Sequence, residues 1–155
     1  MSEPQLAEIY NFLSIDERWA TAGQPTAEQI PAIKQAGYEV VINLGMPDSP
    51  RAVMNEAKLV VAEGLIYVPI PVIWEAPTTE DLEKFFQAMV VNEDKKRFVH
   101  CIANMRVSAF TFLYRVLKQG VPITEARQTL HQIWEPNPIW QAFITEQLAK
   151  HNLTW

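Results

Sequence analysis

Cys101 is the only cysteine of this 155-residue chain, and Arg106 stands five positions after it. Ile102, Ala103, Asn104 and Met105 separate the two, His100 precedes the cysteine, and Ser108 follows the arginine by two. The thiolate is the nucleophilic form of cysteine, and nearby cations or backbone N–H groups stabilise it. A guanidinium grips two oxygens of a phosphate at once. These residue types predict thiolate attack on phosphorus, with Arg106 and the amides of Ile102, Ala103, Asn104 and Met105 holding the other oxygens. Such chemistry needs no cofactor.

That pair does chemistry only inside a cradle. Phe98 and Val99 suit a strand, while Val107, Phe110, Leu113, Tyr114 and Leu117 recur at helical spacing until Gly120. Strand, tight loop and helix therefore follow one another, and the loop amides join the positive end of the helix as an anion site. Asn104 tolerates the left-handed conformation better than the other loop residues and can stand in for a glycine. The alternative is a small buried hydrophobe at a strand end, the commoner fate of a lone cysteine.

The run Phe98-Val99-His100-Cys101-loop-Arg106-helix resembles the signature of the cysteine-dependent protein tyrosine and dual-specificity phosphatases. Ala22 to Thr26, Ala36 to Leu44, Asn55-Glu56 and Gly64 to Val72 resemble a bacterial branch of that superfamily, and the likeness runs from about Ile9 to about Phe143. The resemblance implies a histidine, here His100, whose hydrogen bonds organise the loop and favour the thiolate; a histidine satisfied in the core fits the same position. It also implies a hydroxyl after the arginine. Ser108 falls there and either donates to the thiolate or bonds its own helix backbone.

The usual loop of the family has five residues between cysteine and arginine, often with a glycine, where this chain has four and none. Either the loop is one residue shorter, as in rhodanese-like sulfurtransferases, or the arginine has moved around the helix by about 100°. The readings are thus a phosphomonoester hydrolase working through a thiophosphate intermediate, a sulfurtransferase using the same cysteine, and a catalytically impaired phospho-ligand or partner-binding protein.

Relatives of this kind supply a general acid from a loop after another strand of the same sheet. Glu75 is the candidate here, in Pro71-Val72-Ile73-Trp74-Glu75-Ala76-Pro77, where the adjacent tryptophan predicts a partly apolar setting that raises its pKa. The family's acid is normally aspartate, and its plausible place is Ile73. Asp48, Glu80 and Asp81 are alternatives, the last two also suited to a helix's first turn.

Glu39 to Leu44, Ile66 to Ile70 and Arg97 to Cys101 read as strands separated by helices, an α/β layout with a mainly parallel central sheet flanked by helices. Thr26-Ala27-Glu28-Gln29 predicts a capping box for a helix to Ala36, with Pro31 distorting its first turns. Ser49 to Glu63 and Thr78 to Asn92 read as crossover helices. Asn11 to Ile15 and Arg18 to Thr21 read as paired edge strands around Asp16-Glu17. Parallel strands place their following loops at one edge, where Cys101, Glu75 and Asp48 would meet. Thr124 caps a predicted helix from Glu125 to Ile133, and another runs from about Ile139 to His151. Trp134, Trp140 and Phe143 between and within them read as a packed corner, with a substrate lid as the sharper alternative.

Length and composition predict a single domain over residues 1–155. A net charge of −5 opposes nonspecific attraction to nucleic acid, and Lys95-Lys96-Arg97 reads as a solvated turn. Histidines at 100, 131 and 151 with one cysteine lack the close pairs of a metal site, so no metal is expected. No apolar stretch is long enough to span a bilayer, and Met1-Ser2-Glu3-Pro4 lacks the features of a signal peptide; the expected location is cytoplasmic. The expected partner is a phosphorylated substrate of unknown type, without nucleic acid or membrane.

Overall fold

Short runs of β-branched and apolar residues build the centre of the molecule, described here for residues 5–155 by a computed structural model. The signal-peptide reading falls on residues 1–4, outside the described residues. The strands are β1 (Leu13–Asp16), β2 (Trp19–Ala22), β3 (Val40–Asn43), β4 (Ile66–Pro69) and β5 (Arg97–His100). They form one sheet in the order β1-β2-β5-β3-β4. β2, β5, β3 and β4 run parallel, and β1 pairs antiparallel with β2. β5 is the middle strand and is buried at all four positions, so the residue after it, Cys101, emerges at the centre of the sheet's C-terminal edge.

The two-residue period of the strands divides their side chains between two cores. Val40, Ile42 and Val99 pack on one face with Phe85, Phe110 and Trp140. Ala20, Val41 and Phe98 pack on the other with Ile30, Ile33 and Val60. The second face is covered by α1 (Ile30–Gln35) and α2 (Glu56–Ala62); the first lies under α3 (Thr79–Val91), α4 (Met105–Gln119), α5 (Ile123–His131) and α6 (Pro138–Ala149). Burial on both sides explains why the inner strands β3 and β5 read as near-continuous apolar runs, whereas the edge strand β4 is partly exposed.

Several expectations need correction. β2 is not an edge strand: Trp19–Ala22 is buried throughout and pairs with β5, leaving β1 and β4 as edges. Only Glu56–Ala62 of the expected helix from Ser49 to Glu63 is helical. Pro50 disfavours a helical residue before it, successive turns tie Ser49 to Met46 and Ala52 to Ser49, and Asn55 adopts φ 62°, so the chain stays irregular to that point. The helix expected from Thr26 begins as a 3-10 turn at Ala27–Gln29 and becomes α-helical at Ile30, beside Pro31. Pro122 rather than Thr124 occupies the cap of α5. Arg97 is buried and opens β5, and Lys96 Nζ donates to Ala36 O at 2.7 Å, so the basic trio is not simply a solvated turn.

Other elements match the reading. Thr78 caps α3 by accepting from Asp81 N at 3.0 Å, and Asn137 caps α6 by accepting from Trp140 N at the same distance. α4 ends at Gly120, whose φ of 69° is the left-handed turn that stops a helix. Among the described residues no helix is long and apolar enough to cross a membrane.

Candidate active site

The loop after β5 is held from outside by three successive carbonyls. Cys101 O lies 3.0 Å from His100 Nδ1, Ile102 O accepts from Gln24 N at 3.0 Å, and Ala103 O accepts from Asn11 Nδ2 at 3.0 Å. In a planar trans peptide the N–H points opposite to the C=O. Fixing the first two oxygens outward therefore turns the amides of Ile102 and Ala103 the other way, while an antiparallel bridge between Gly23 and Ala103 ties the loop to the end of β2. The first amides of α4 follow, without intrahelical partners and at the positive end of the helix.

Two local features let the loop take this shape. Asn104 has φ 64° and ψ 7°, and its buried Nδ2 donates to Asn11 O at 2.9 Å and Thr21 Oγ1 at 3.1 Å. Gly23 is the point of closest approach: a Cβ there would lie 2.6 Å from Ile102 O and 2.8 Å from Tyr10 Cδ2. Nothing larger than glycine fits beneath the loop without moving it.

On the inner side, Trp74, Cys101, Ile102, Ala103, Met105 and Arg106 line a pocket of about 190 Å³. Cys101 is 1% exposed, at the strand end where the pocket begins. Arg106 sits in the first turn of α4, is itself buried, and donates from Nη1 to Val72 O at 2.8 Å. Its guanidinium carbon stands 5.6 Å from the Trp74 ring centre. Despite the four-residue spacing, the arginine and the cysteine share one pocket. Arg106 Nε is buried without a hydrogen-bond partner among the described residues, a donor left available beside the anion cradle.

Trp74 is fixed from behind. Trp140 Nε1 donates to its carbonyl at 2.9 Å, and the Trp134 and Trp140 rings lie 5.4 and 5.9 Å from its own. The C-terminal aromatics thus form the packed corner expected, with Trp140 fully buried, and they hold one wall of the pocket.

The remaining sequence candidates fall elsewhere. Ser108 Oγ donates to Met105 O at 2.8 Å and accepts from Trp134 Nε1 at 3.0 Å, so its hydroxyl serves the helix and the aromatic corner rather than the sulfur. Glu75 is exposed on the turn after Trp74, not in the partly apolar setting expected, and it does not line the pocket. Asp48 is also exposed and outside it. The shared edge brings the three loops to one side of the sheet, but neither carboxyl is placed against Cys101.

His100 is fully buried, with Nε2 2.6 Å from Glu56 Oε2. Burial opposes the charge on Glu56. The hydrogen bond from His100, its charge and the Gln24 amide outweigh that and hold the carboxyl below its ordinary range. Gln24 Nε2 donates to Glu56 Oε1 at 2.7 Å. Glu56 and Gln24 escaped the sequence reading as site residues because a glutamate opening a helix ordinarily faces solvent; the only signal was that both lie in stretches carrying the family resemblance. Among the described residues no three of His, Cys, Asp and Glu gather as a metal-holding group.

A family model described as DSP-PTPase phosphatase fused to NAD+ kinase matches residues 10–143. The chain belongs to this phosphatase family. A candidate phosphatase (DUF442) of Shewanella putrefaciens CN-32 is 39% identical, covering 95% of this chain and 97% of that one, with a TM-score of 0.85. A beta-lactamase hydrolase-like protein of Xylella fastidiosa (strain Temecula1 / ATCC 700964) is 32% identical over 110 residues, 68% of this chain. The chain spans only 25% of that relative's length. The fold is also that of Tk-PTP in its active form, at a TM-score of 0.69 and 20% identity over 90% of this chain and 95% of that one. In this phosphatase-like fold the loop after β5 is the one that carries Cys101, where the sequence pattern places the family signature.

Proposed function

We propose that the chain is a cysteine-dependent phosphatase acting on phosphate monoesters. The observation that carries this reading is the single pocket shared by Cys101, Arg106 and the inward-turned loop amides. Cys101 Sγ attacks phosphorus as a thiolate, forming the S–P bond as the P–O bond to the leaving group breaks. The loop amides and Arg106 hold the three equatorial oxygens, whose charge is spread in the transition state. Val72 O keeps the guanidinium in place, so less freedom is lost when phosphate binds.

We assign to Glu75 the proton given to the departing oxygen, a role that requires its exposed side chain to turn in from beside Trp74 once substrate is bound. Water then attacks phosphorus, its proton passes to the Glu75 carboxylate, and the S–P bond breaks to return the thiolate. The substrate is a phosphorylated molecule whose remainder is unspecified. The reaction takes place without a cofactor.

Release of phosphate from p-nitrophenyl phosphate by wild type, Cys101→Ser and Arg106→Ala tests this. Turnover lost in Cys101→Ser is expected; turnover that survives it overturns thiolate catalysis. Sulfur transfer from thiosulfate to cyanide, in place of phosphate release, would make the protein a sulfurtransferase instead. A Glu75→Gln variant with undiminished turnover would remove that residue from the acid role.

A further inference from the structure

We infer that Glu56 is a positioning residue for the reactive loop, acting on Cys101 through His100 and Gln24. The inference rests on the cysteine-nucleophile reading above and adds the element that holds the nucleophile's surroundings in place.

Three anchors hold the loop, and Glu56 fastens the two that turn its amides inward. The first is His100, whose Nδ1 faces Cys101 O at 3.0 Å and whose Nε2 faces Glu56 Oε2 at 2.6 Å. The second is Gln24, whose backbone N–H donates to Ile102 O at 3.0 Å and whose side-chain amide donates to Glu56 Oε1 at 2.7 Å. Each carboxylate oxygen of Glu56 thus takes one anchor. The third, Asn11 on Ala103 O, stands apart.

The ring of His100 faces acceptors at both nitrogens, a carboxylate and a carbonyl. A neutral imidazole carries one N–H and satisfies only one of them; the ring that satisfies both carries two. Glu56 supplies the charge that makes this state tenable in a fully buried position, and the pair's extra hydrogen bonds to Gln24 and Cys101 O meet the condition under which buried ion pairs persist. The outcome is a positive ring adjoining Cys101 and a fixed peptide plane between Cys101 and Ile102. Both favour negative charge at the sulfur and on a bound oxyanion.

Glu56 reaches this position because Asn55 takes a left-handed turn just before α2, which directs the first helical residue beneath the loop. The other groups around the pair are Tyr67 on β4 and Asn43 on β3, joined by an Asn43 Nδ2 bond to the Tyr67 hydroxyl at 3.0 Å, and the Phe98 ring on β5, 6.2 Å from that of His100. Burial holds the Tyr67 phenol above its ordinary range, against the pull of the Asn43 hydrogen bond, and the Glu56 charge adds to this, so Tyr67 is neutral at neutral pH. Glu56 is therefore the counter-charge to the ring among these neighbours.

Because the chain has one cysteine, iodoacetamide alkylation followed by intact mass reports Cys101 alone and needs no substrate. In Glu56→Gln the alkylation rate at neutral pH is expected to fall roughly tenfold and its pH profile to move up by about one unit, with partial recovery in Glu56→Asp. Affinity for inorganic phosphate should weaken by a similar factor. A folded Glu56→Gln protein with wild-type profile and phosphate affinity overturns the inference. If that variant does not fold, 15N NMR of the wild-type His100 ring decides: two protonated nitrogens at neutral pH support the inference, and a ring with one overturns it. Loss of the phosphatase reading shows separately, as p-nitrophenyl phosphate turnover that survives Cys101→Ser.

Discussion

Arg97 and Arg106 occupy near-mirror settings at opposite ends of the sheet. Each is buried, each has its guanidinium 5.6 Å from a tryptophan ring, and each donates from Nη1 to a backbone carbonyl, Met89 O at 3.3 Å and Val72 O at 2.8 Å. Each also keeps a buried Nε without a partner among the described residues. Their surroundings differ in charge. Arg97 opens β5 at the N-terminal edge, where burial pulls its pKa down and the nearby Tyr114, Asp16 and Glu93 partly restore it. Arg106 sits in the first turn of α4 at the C-terminal edge, beside Cys101. The first guanidinium already has carboxylates in its field; the second faces a cradle of donors that only an arriving anion completes. The same local packing thus gives a structural cation at one edge and, in the proposed reading, an anion receptor at the other.

The largest effect expected is on the receptor side: Cys101→Ser lowers p-nitrophenyl phosphate turnover by at least about 10³-fold, as removal of a nucleophile does. Arg106→Ala comes next, with kcat/KM down roughly 10²-fold for loss of a charged oxyanion donor and the fold retained by circular dichroism. The comparison breaks if Arg97→Met does the same. That variant is expected to lose about 1–3 kcal/mol of stability in urea unfolding, because Met89 O and the Trp19 face lose their donor, with kcat per folded molecule unchanged within about twofold. Asn104→Gly keeps the left-handed turn and loses two side-chain hydrogen bonds, about 1–2 kcal/mol, whereas Asn104→Ala adds the strain of that turn and should lose more.

The smallest effect concerns acid. Glu56 in the folded protein sits below its ordinary value of 4.5, so the unfolded chain takes up its proton first as the pH falls. Its contribution to stability is present above about pH 4.5 and disappears as the pH drops through the depressed folded value. The stability gap between wild type and Glu56→Gln, measured by urea unfolding from pH 6 to pH 3, should therefore narrow toward the acid end. A gap that stays constant would mean that the Glu56 charge does not hold the pair together.

Much of this was legible in the chain itself. Apolar runs bounded by turn residues marked β3, β4 and β5 to within a residue; for β3 and β5 this follows from burial on both faces, and for the partly exposed edge strand β4 from its β-branched and aromatic run. The helix after Cys101 and its glycine stop were equally plain. What stayed hidden was partnership. The short strand Trp19–Ala22 gave no sign that it would enter the sheet beside β5. Glu75 looked sheltered because a tryptophan adjoins it in sequence, yet the indole turns to the pocket wall and the carboxyl to solvent.

Residue order alone determined a strand, a short loop and a helix around Cys101 and Arg106, because hydrophobic period and turn propensity act over a few neighbours. Only the tertiary structure decided that Arg106 shares a pocket with the sulfur despite the shortened spacing, and that Glu56, 44 positions before His100, lies against its ring. Those facts depend on which strands adjoin and how helices cross them, and so on the packing of the whole chain.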